Sequence, residues 1–259
     1  MPELPDVEVF ASYLKSTALH KKINEVEVRS SKVLKGISGK TLLKKVTGHS
    51  FEEAKRHGKY VFVKLDGSQW MVLHFGMTGF LRYFSNNDQE PDHTRILFSF
   101  DNGYHLAYVN QRLLGSVGLV ESPDTYINGK KSGPDALDIS RKEFGDIMSG
   151  RGTVKTAFMN QKMMAGVGNI YADEILYQAK ILPQRKKSSL DNGDIDRLFD
   201  AMRNVLLTAI ERKADPNSFP DDYIIPHRSE GHDCPRCGGK VRKTKVSGRT
   251  TWYCPGCQE

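Results

Sequence analysis

The apolar residues of this chain recur at one period up to about residue 120 and at another beyond about residue 140, so no single layer can bury them all. Between residues 23 and 120 the stretches INEVEV, KYVFVKL, WMVLHF, FLRYF, RILFSF and HLAYV place β-branched and aromatic residues at every second position, as half-buried strands do. Asp66-Gly67 separates KYVFVKL from QWMVLHF, and Asn102-Gly103 separates RILFSF from YHLAYV. Both dipeptides suit tight hairpins that need positive φ. Strands that pair with their sequence neighbours imply an antiparallel sandwich or barrel. After the polar stretch NGKKSGPDALD the period turns helical, and helices are expected over 140–149, 153–163, 169–180 and 190–213. In the last, Ile195, Leu198, Met202, Val205, Leu206, Ala209 and Ile210 form a stripe that serves core packing. Residues 214–233 carry three prolines and several acids without periodicity, which predicts a loop or linker.

A chain of 259 residues can bury two cores and still carry a small module. The expected architecture is α+β and multidomain. It places an N-terminal helix plus β-sandwich in 1–133, a helical domain in 134–228 and a cysteine module in 229–259. Lys and Arg number 38 against 31 Asp and Glu, a formal charge of +7 that favours a polyanionic partner. No apolar run resembles a secretory signal or a membrane span, so an intracellular protein with no membrane partner is expected.

All four cysteines lie in CPRCGGKVRKTKVSGRTTWYCPGC, spaced C-x₂-C-x₁₆-C-x₂-C through Cys234, Cys237, Cys254 and Cys257. Two such knuckles present four thiolates tetrahedrally, the preference of one closed, structural Zn²⁺ site. A rubredoxin-like iron site is the metal alternative, and two disulfides suit a reducing compartment poorly. Between the knuckles lie Lys240, Arg242, Lys243, Lys245 and Arg249, with no acid among them, and Arg236 adds a sixth positive charge. A β-ribbon decorated in this way can grip phosphates, although a solvated basic surface reads the same in sequence.

Two further stretches stand out. In MPELPDVEVF, Pro5 suits the first turn of a helix whose Val7, Phe10, Ala11 and Leu14 share one face, but that helix leaves Pro2 and Glu3 without a purpose. In AGVGNIYADEILYQAKI, Gly166, Gly168 and Asn169 precede a helical pattern. Asn169 reads as its cap, and the backbone N–H groups before it as a cradle for phosphate. An ordinary interhelical turn would carry the same letters. Arg151 and Lys155 lie just upstream.

Taken in order, PELPDVE, RHGKYVFV around Lys59, HFGMTGFL from His74, NQRLLG, GVGNIYADE and GRTTWYCPGCQ span nearly the whole chain. Their joint order resembles the formamidopyrimidine-DNA glycosylase and endonuclease VIII family of base-excision repair enzymes. The PELP start is closer to the formamidopyrimidine branch. The resemblance implies an N-terminal β-sandwich, a helix–two-turn–helix domain and a zinc finger, acting as a monomer on damaged double-stranded DNA held in the cleft between them. It also implies a location in the cytoplasm or at the nucleoid.

The resemblance gives Pro2 and Glu3 their purpose. Removal of Met1 exposes Pro2 as a secondary amine, which attacks C1′ of the damaged nucleotide and displaces the base. Glu3 matches the family's general acid in sugar-ring opening. Lys59 matches the lysine linked to β-elimination and phosphate contact. Arg249 matches the finger arginine that clamps the phosphate beside the lesion and serves δ-elimination. Asn169 matches the backbone-anchoring asparagine, and His74, His93, Arg151 and Lys155 match DNA contacts. Met77 and Arg112 correspond to side chains inserted where the base is everted, with Leu114 as an apolar wedge.

The chain departs from the formamidopyrimidine branch in two places. Leu113 and Leu114 stand where Arg-Phe usually follows the inserted arginine. Residues 214–233 replace a longer loop that covers an everted 8-oxoguanine in that branch. Action on oxidised pyrimidines, action mainly at abasic sites, and a non-catalytic paralogue that binds distorted DNA are the alternatives this leaves. A generic zinc-ribbon module would have no use for Pro2 and Glu3.

Overall fold

The computed structural model describes residues 1–259, which form two compact units: residues 1–2 with 6–131, and residues 3–5 with 132–259. No helix is long and apolar enough to cross a membrane.

The first unit holds α1 (Leu4–Thr17) from Asp6 onward, β1 (Ile23–Val28), α2 (Gly39–Val46), seven further strands and α3 (Pro123–Lys130). The strands are β2 (Phe51–His57), β3 (Tyr60–Leu65), β4 (Trp70–His74), β5 (Phe80–Ser85), β6 (Thr94–Phe100), β7 (Tyr104–Val109) and β8 (Ser116–Val120). They make two antiparallel four-stranded sheets, ordered β2-β3-β4-β8 and β1-β6-β7-β5. Val61, Val63, Leu65, Met71 and Leu73 of one sheet and Val26, Leu81, Ile96, Phe98 and Leu106 of the other share a single core. Val7, Ala11 and Leu14 of α1 bury their apolar face in the same core, as their spacing predicts. Phe62, Trp70 and Val72 point the other way and are covered with help from Tyr126 and Ile127 of α3. That second covered face is why WMVLHF reads as a continuous apolar run. Of the two hairpin dipeptides only Asn102-Gly103 supplies positive φ, and only at Gly103 (+77°), in a three-residue turn over 101–103. At Asp66-Gly67 the turn is wider: Leu65 N donates to Gln69 O, and the Asp66 carboxylate accepts from Ser50 N, so left-handed backbone is not required.

The second unit contains α4 (Arg141–Met148), α5 (Val154–Met159), α6 (Asn169–Gln178), α7 (Asn192–Glu211) and a ribbon of β9 (Arg242–Val246) with β10 (Arg249–Tyr253). Capping boxes at Ser140/Glu143 and Asp191/Asp194 start α4 and α7. α5 stops short of its expected end because Gln161 turns back, donating to Val167 O and accepting from Gly166 N. Leu4 packs among Met164, Val167, Tyr171 and Ile175 of the helical core, so the first turn of α1 belongs to this unit. Residues 214–228 are no slack linker. Phe219, Tyr223, Ile224 and Ile225 are buried, and two 3₁₀ turns, Pro216–Ser218 and Ile225–His227, shape the segment.

Candidate functional site

In the second unit the site is organised by α6. Its first backbone N–H groups have no partner within the helix and carry the positive end of its dipole. The Glu3 carboxylate takes them up: Gly168 N donates to Oε2 at 2.8 Å, Ile170 N to Oε1 at 2.9 Å and Tyr171 N to Oε2 at 3.2 Å. Glu3 is fully buried. Leu4 N donates to Gly166 O at 3.0 Å, and a Cβ on Gly166 would lie 2.5 Å from Leu4 Cδ1. Gly166 sits at φ +112°, so the glycine serves both the backbone and the approach of Leu4. PELP and GVGN, 160-odd residues apart in the chain, are therefore the two halves of one contact.

This corrects the reading of GVGN as a phosphate cradle capped by Asn169. The N–H groups at the helix start are taken by Glu3, and Gly168 holds the N-cap position with no side-chain bond to the helix. Asn169 is the first helical residue and donates instead to Thr250 O at 3.0 Å.

Lys155 is corrected too. It is fully buried and offers no surface to DNA. Its Nζ donates to Asp173 Oδ1 at 2.5 Å and to Thr251 Oγ1 at 2.6 Å. Asp173 also accepts from Arg228 Nη2 at 2.8 Å and Trp252 N at 3.1 Å. Sequence reasoning missed Asp173, Arg228 and Thr251. The available signal was an Asp-Glu pair inside an otherwise apolar helix stretch. Glu174, the next residue, is equally buried but has no cation beside it. It accepts from Gln178 Nε2 at 2.8 Å and Ile225 N at 2.9 Å, and burial pushes its carboxyl up to about 7.

The four Sγ atoms of Cys234, Cys237, Cys254 and Cys257 lie within 4.8 Å of one another, and none is in a disulfide. Zn–S bonds of about 2.3 Å in a tetrahedron put sulfurs about 3.8 Å apart. The Cys234–Cys257 and Cys237–Cys254 separations are 3.7 and 3.5 Å. The site fits one structural zinc ion. The Tyr177 hydroxyl lies 3.1 Å from Cys234 Sγ and can donate to it when it is a thiolate. Three of the six basic residues of the module have acidic partners: Lys240 with Asp233, Lys243 with Glu230 and Arg236 with Asp222. Arg242, Lys245 and Arg249 are exposed and make no ion pair. Arg249 directly follows a two-residue turn, Ser247-Gly248, in which both residues take positive φ. Arg151 is exposed as well.

In the first unit, β2 and β3 are joined by Gly58-Lys59, with His57 opposite Tyr60, so Lys59 stands at the tip of a two-residue hairpin. Gly58 supplies the φ of +54° that the turn demands. Glu8 of α1 accepts from Arg56 Nε at 2.6 Å, tying PELPDVE to RHGKY beside that hairpin. His74 ends β4 opposite Tyr60, its Nδ1 accepting from Gly76 N at 3.3 Å. Burial, with Lys59 and Lys35 nearby, lowers its pKa to about 4, so at neutral pH it is uncharged and carries its proton on Nε2.

The loop after β4 and the loop before β8 are held together by Asn110, which is fully buried. Its Nδ2 donates to Phe75 O at 3.1 Å, and its Oδ1 accepts from Leu114 N and Gly115 N at 3.1 and 3.3 Å. Tyr108 donates to His74 O at 2.7 Å. On these loops Met77 is 39% and Leu114 52% exposed, and Arg112 is exposed too. Leu113, at φ +55°, packs on the sandwich core, so Leu114 alone projects. His93 is exposed at φ +64°.

Comparison with known proteins bears on the whole chain. Residues 1–117 match the formamidopyrimidine-DNA glycosylase N-terminal domain, 134–221 its H2TH domain, and 231–259 a zinc finger found in FPG and IleRS. The chain is 33% identical to the formamidopyrimidine-DNA glycosylase of Pelotomaculum thermopropionicum, covering 100% of this chain and 99% of the relative. It is 34% identical to that of Streptococcus mutans, covering both chains fully. A solved structure of MutM in complex with DNA containing carbocyclic 8-oxo-G is similar with a TM-score of 0.90 at 28% identity, covering both chains fully. Lactococcus lactis Fpg in complex with abasic-site DNA gives 0.89 at 26%, covering 99% of each chain.

Proposed function

The chain belongs to the formamidopyrimidine-DNA glycosylase family, and from that premise we propose that it excises oxidised bases from damaged duplex DNA and then cleaves the strand through Pro2. The observation that carries this reading is the seat of Glu3 on the N-terminus of α6, which leaves the chain start ordered rather than frayed. Once Met1 is removed, Pro2 carries a secondary amine with a reference pKa of about 7.7–8, so a useful fraction is neutral near pH 7. Its lone pair attacks C1′, and the C1′–N bond to the base breaks. The proton shed by the Pro2 nitrogen passes to the Glu3 carboxylate, which returns it to the ring oxygen. The sugar ring opens, leaving an iminium between Pro2 and C1′, while the departing base takes its proton from water. The iminium acidifies the C2′ proton. Loss of that proton expels the 3′-phosphate, and a second elimination expels the 5′-phosphate. Lys59 and Arg249 are the residues we assign to these two eliminations.

Zinc supplies no chemistry here; its four thiolates fix the ribbon that bears Arg249. Met77, Arg112 and Leu114 fill the gap left by the everted nucleotide, while His74, His93, Arg151 and Asn169 meet the DNA strand. Lys155 acts through other residues. The protein works as a monomer at the nucleoid in this reading. Glu3→Gln tests it. Base excision should fall by at least about 100-fold, while cleavage of a preformed abasic site persists. Equal loss of both activities would contradict a proton-transfer role for Glu3.

A second reading concerns the substrate. Residues 214–228 are anchored by Ile225 N on Glu174, and Gln178 donates to Asp222 O. Leu114 is the only projecting residue of its pair. These two departures are the ground for the alternative, action on oxidised pyrimidines or at abasic sites rather than on 8-oxoguanine. Duplexes containing 8-oxoguanine, formamidopyrimidine, thymine glycol or dihydrouracil separate the two readings. Faster excision of 8-oxoguanine than of either pyrimidine would sink the second.

A further inference from the structure

Two backbone groups of β10 are held by side chains of α6. Trp252 N donates to Asp173 Oδ2, and Thr250 O accepts from Asn169 Nδ2. Thr251 lies between them with its hydroxyl fully buried. That hydroxyl meets two groups: Lys155 Nζ at 2.6 Å and Arg249 O at 3.1 Å. An ammonium can only donate and a carbonyl can only accept. The hydroxyl must therefore accept from Lys155 and give its proton to Arg249 O. Its orientation follows from the charge on Lys155, and that charge is held in the interior by Asp173 at 2.5 Å. At the far end of the ribbon, Thr156 Oγ1 and Ser247 Oγ lie 3.1 Å apart. The Arg249 side chain is exposed, but the backbone from which it extends is fixed on both sides of the turn.

We propose that Asp173 is a positioning residue for Arg249, acting through Lys155 and the Thr251 hydroxyl, so that a buried ion pair sets where the guanidinium meets the lesion phosphate. The ion pair does not touch DNA; it removes freedom from the base of the one side chain assigned to the second elimination. α6 thereby places two functional groups from one rigid element, Glu3 at its N-terminus and Arg249 through Asp173 and Asn169 on its flank. This rests on the role given to Arg249 above.

Thr251→Val is the informative substitution, because it keeps the shape and the ion pair and removes the hydroxyl. Asp173→Asn is its companion and Arg249→Ala the reference. The measurement is the ratio of δ- to β-elimination product on a preformed abasic-site duplex, taken on zinc-loaded, folded protein. Displacement of a reacting group by about 1 Å can cost as much as 100-fold. Thr251→Val should lower the ratio about tenfold or more, with borohydride trapping of the Pro2 adduct retained. Added to Arg249→Ala, it should lower the ratio no further, since both changes act on one interaction. A merely structural role would reduce the amount of folded protein and leave the ratio of the remainder alone. An unchanged ratio in folded Thr251→Val overturns the proposal, whether or not Asp173→Asn folds. An unchanged ratio in Arg249→Ala instead overturns the role of Arg249, which tells the two failures apart.

Discussion

The two units of this protein bury different things. The sandwich unit buries two polar residues outright, Thr94 and Asn110, and keeps the Arg56 side chain 7% exposed against Glu8. The helical and zinc-bearing unit hides Glu3, Asp135, Lys155, Asp173, Glu174, Lys187 and Asp194, with Thr251 and Gln258. An apolar core is tolerant: residues of similar volume exchange at modest cost. A buried charge tolerates little, because removing one partner strands the other in a medium that cannot solvate it. The first unit therefore presents Lys59, His74, Met77 and Leu114 from an apolar sandwich whose loops are tied by Asn110 and by the Arg56–Glu8 pair. In the second, Glu3 and Arg249 are placed by networks in which each group depends on its neighbours.

The largest expected effect comes from unbalancing one of those networks. Asp173→Leu leaves Lys155 and Arg228 without their shared carboxylate and should cost about 3–5 kcal/mol in denaturant unfolding. Replacing Lys155 by Met in the same chain should recover much of the loss. If Asp173→Leu costs less than 1 kcal/mol, the contrast between the units fails.

A smaller effect, with a sign that separates the units, appears on titration. The Glu174 carboxyl is raised to about 7 in the folded protein, so between pH 4.5 and 7 the native state binds more protons than the unfolded chain. This contribution to stability is present in acid and is lost as pH rises, by roughly 3 kcal/mol for a shift of this size. His74, lowered to about 4, acts in the opposite sense: the unfolded chain binds more protons between pH 4 and 6.5, so its contribution is lost as pH falls. Glu174→Gln should remove the first slope and His74→Asn the second. The same pH profile in wild type and Glu174→Gln would show that the carboxylate is not buried as described.

What the sequence made legible follows the same division. INEVEV reads correctly as Ile23–Val28 from its apolar residues, although a bulge between Ile23 and Glu25 spaces the buried Ile23 and Val26 three apart. FEEAKRH does not read as a strand: it is an edge strand with only Phe51 and Ala54 buried, and its charged residues hide the pattern. SVGLV is interrupted by Gly118, and α3 buries no residue fully, so neither shows a period. The cysteine spacing announces its metal site because four ligands of one type repeat at fixed intervals. Glu3 is reached only through the resemblance, and the capping that the letters assign to Asn169 is supplied by Glu3. The resemblance makes Lys155 a DNA contact, and nothing in its neighbours signals that it is buried. Its acceptor Thr251 is 96 residues away, and no local pattern encodes a pairing at that distance.

The N-terminus offers the most direct test of all. Freshly purified protein whose Met1 has been removed, as checked by intact mass, is mixed with abasic-site duplex and borohydride, and the trapped adduct is digested and mapped. The DNA fragment should be attached to the peptide beginning at Pro2, and Pro2→Gly should greatly reduce trapping. Attachment at Lys59 or another lysine, or no adduct at all, would contradict a chain start that serves as the nucleophile.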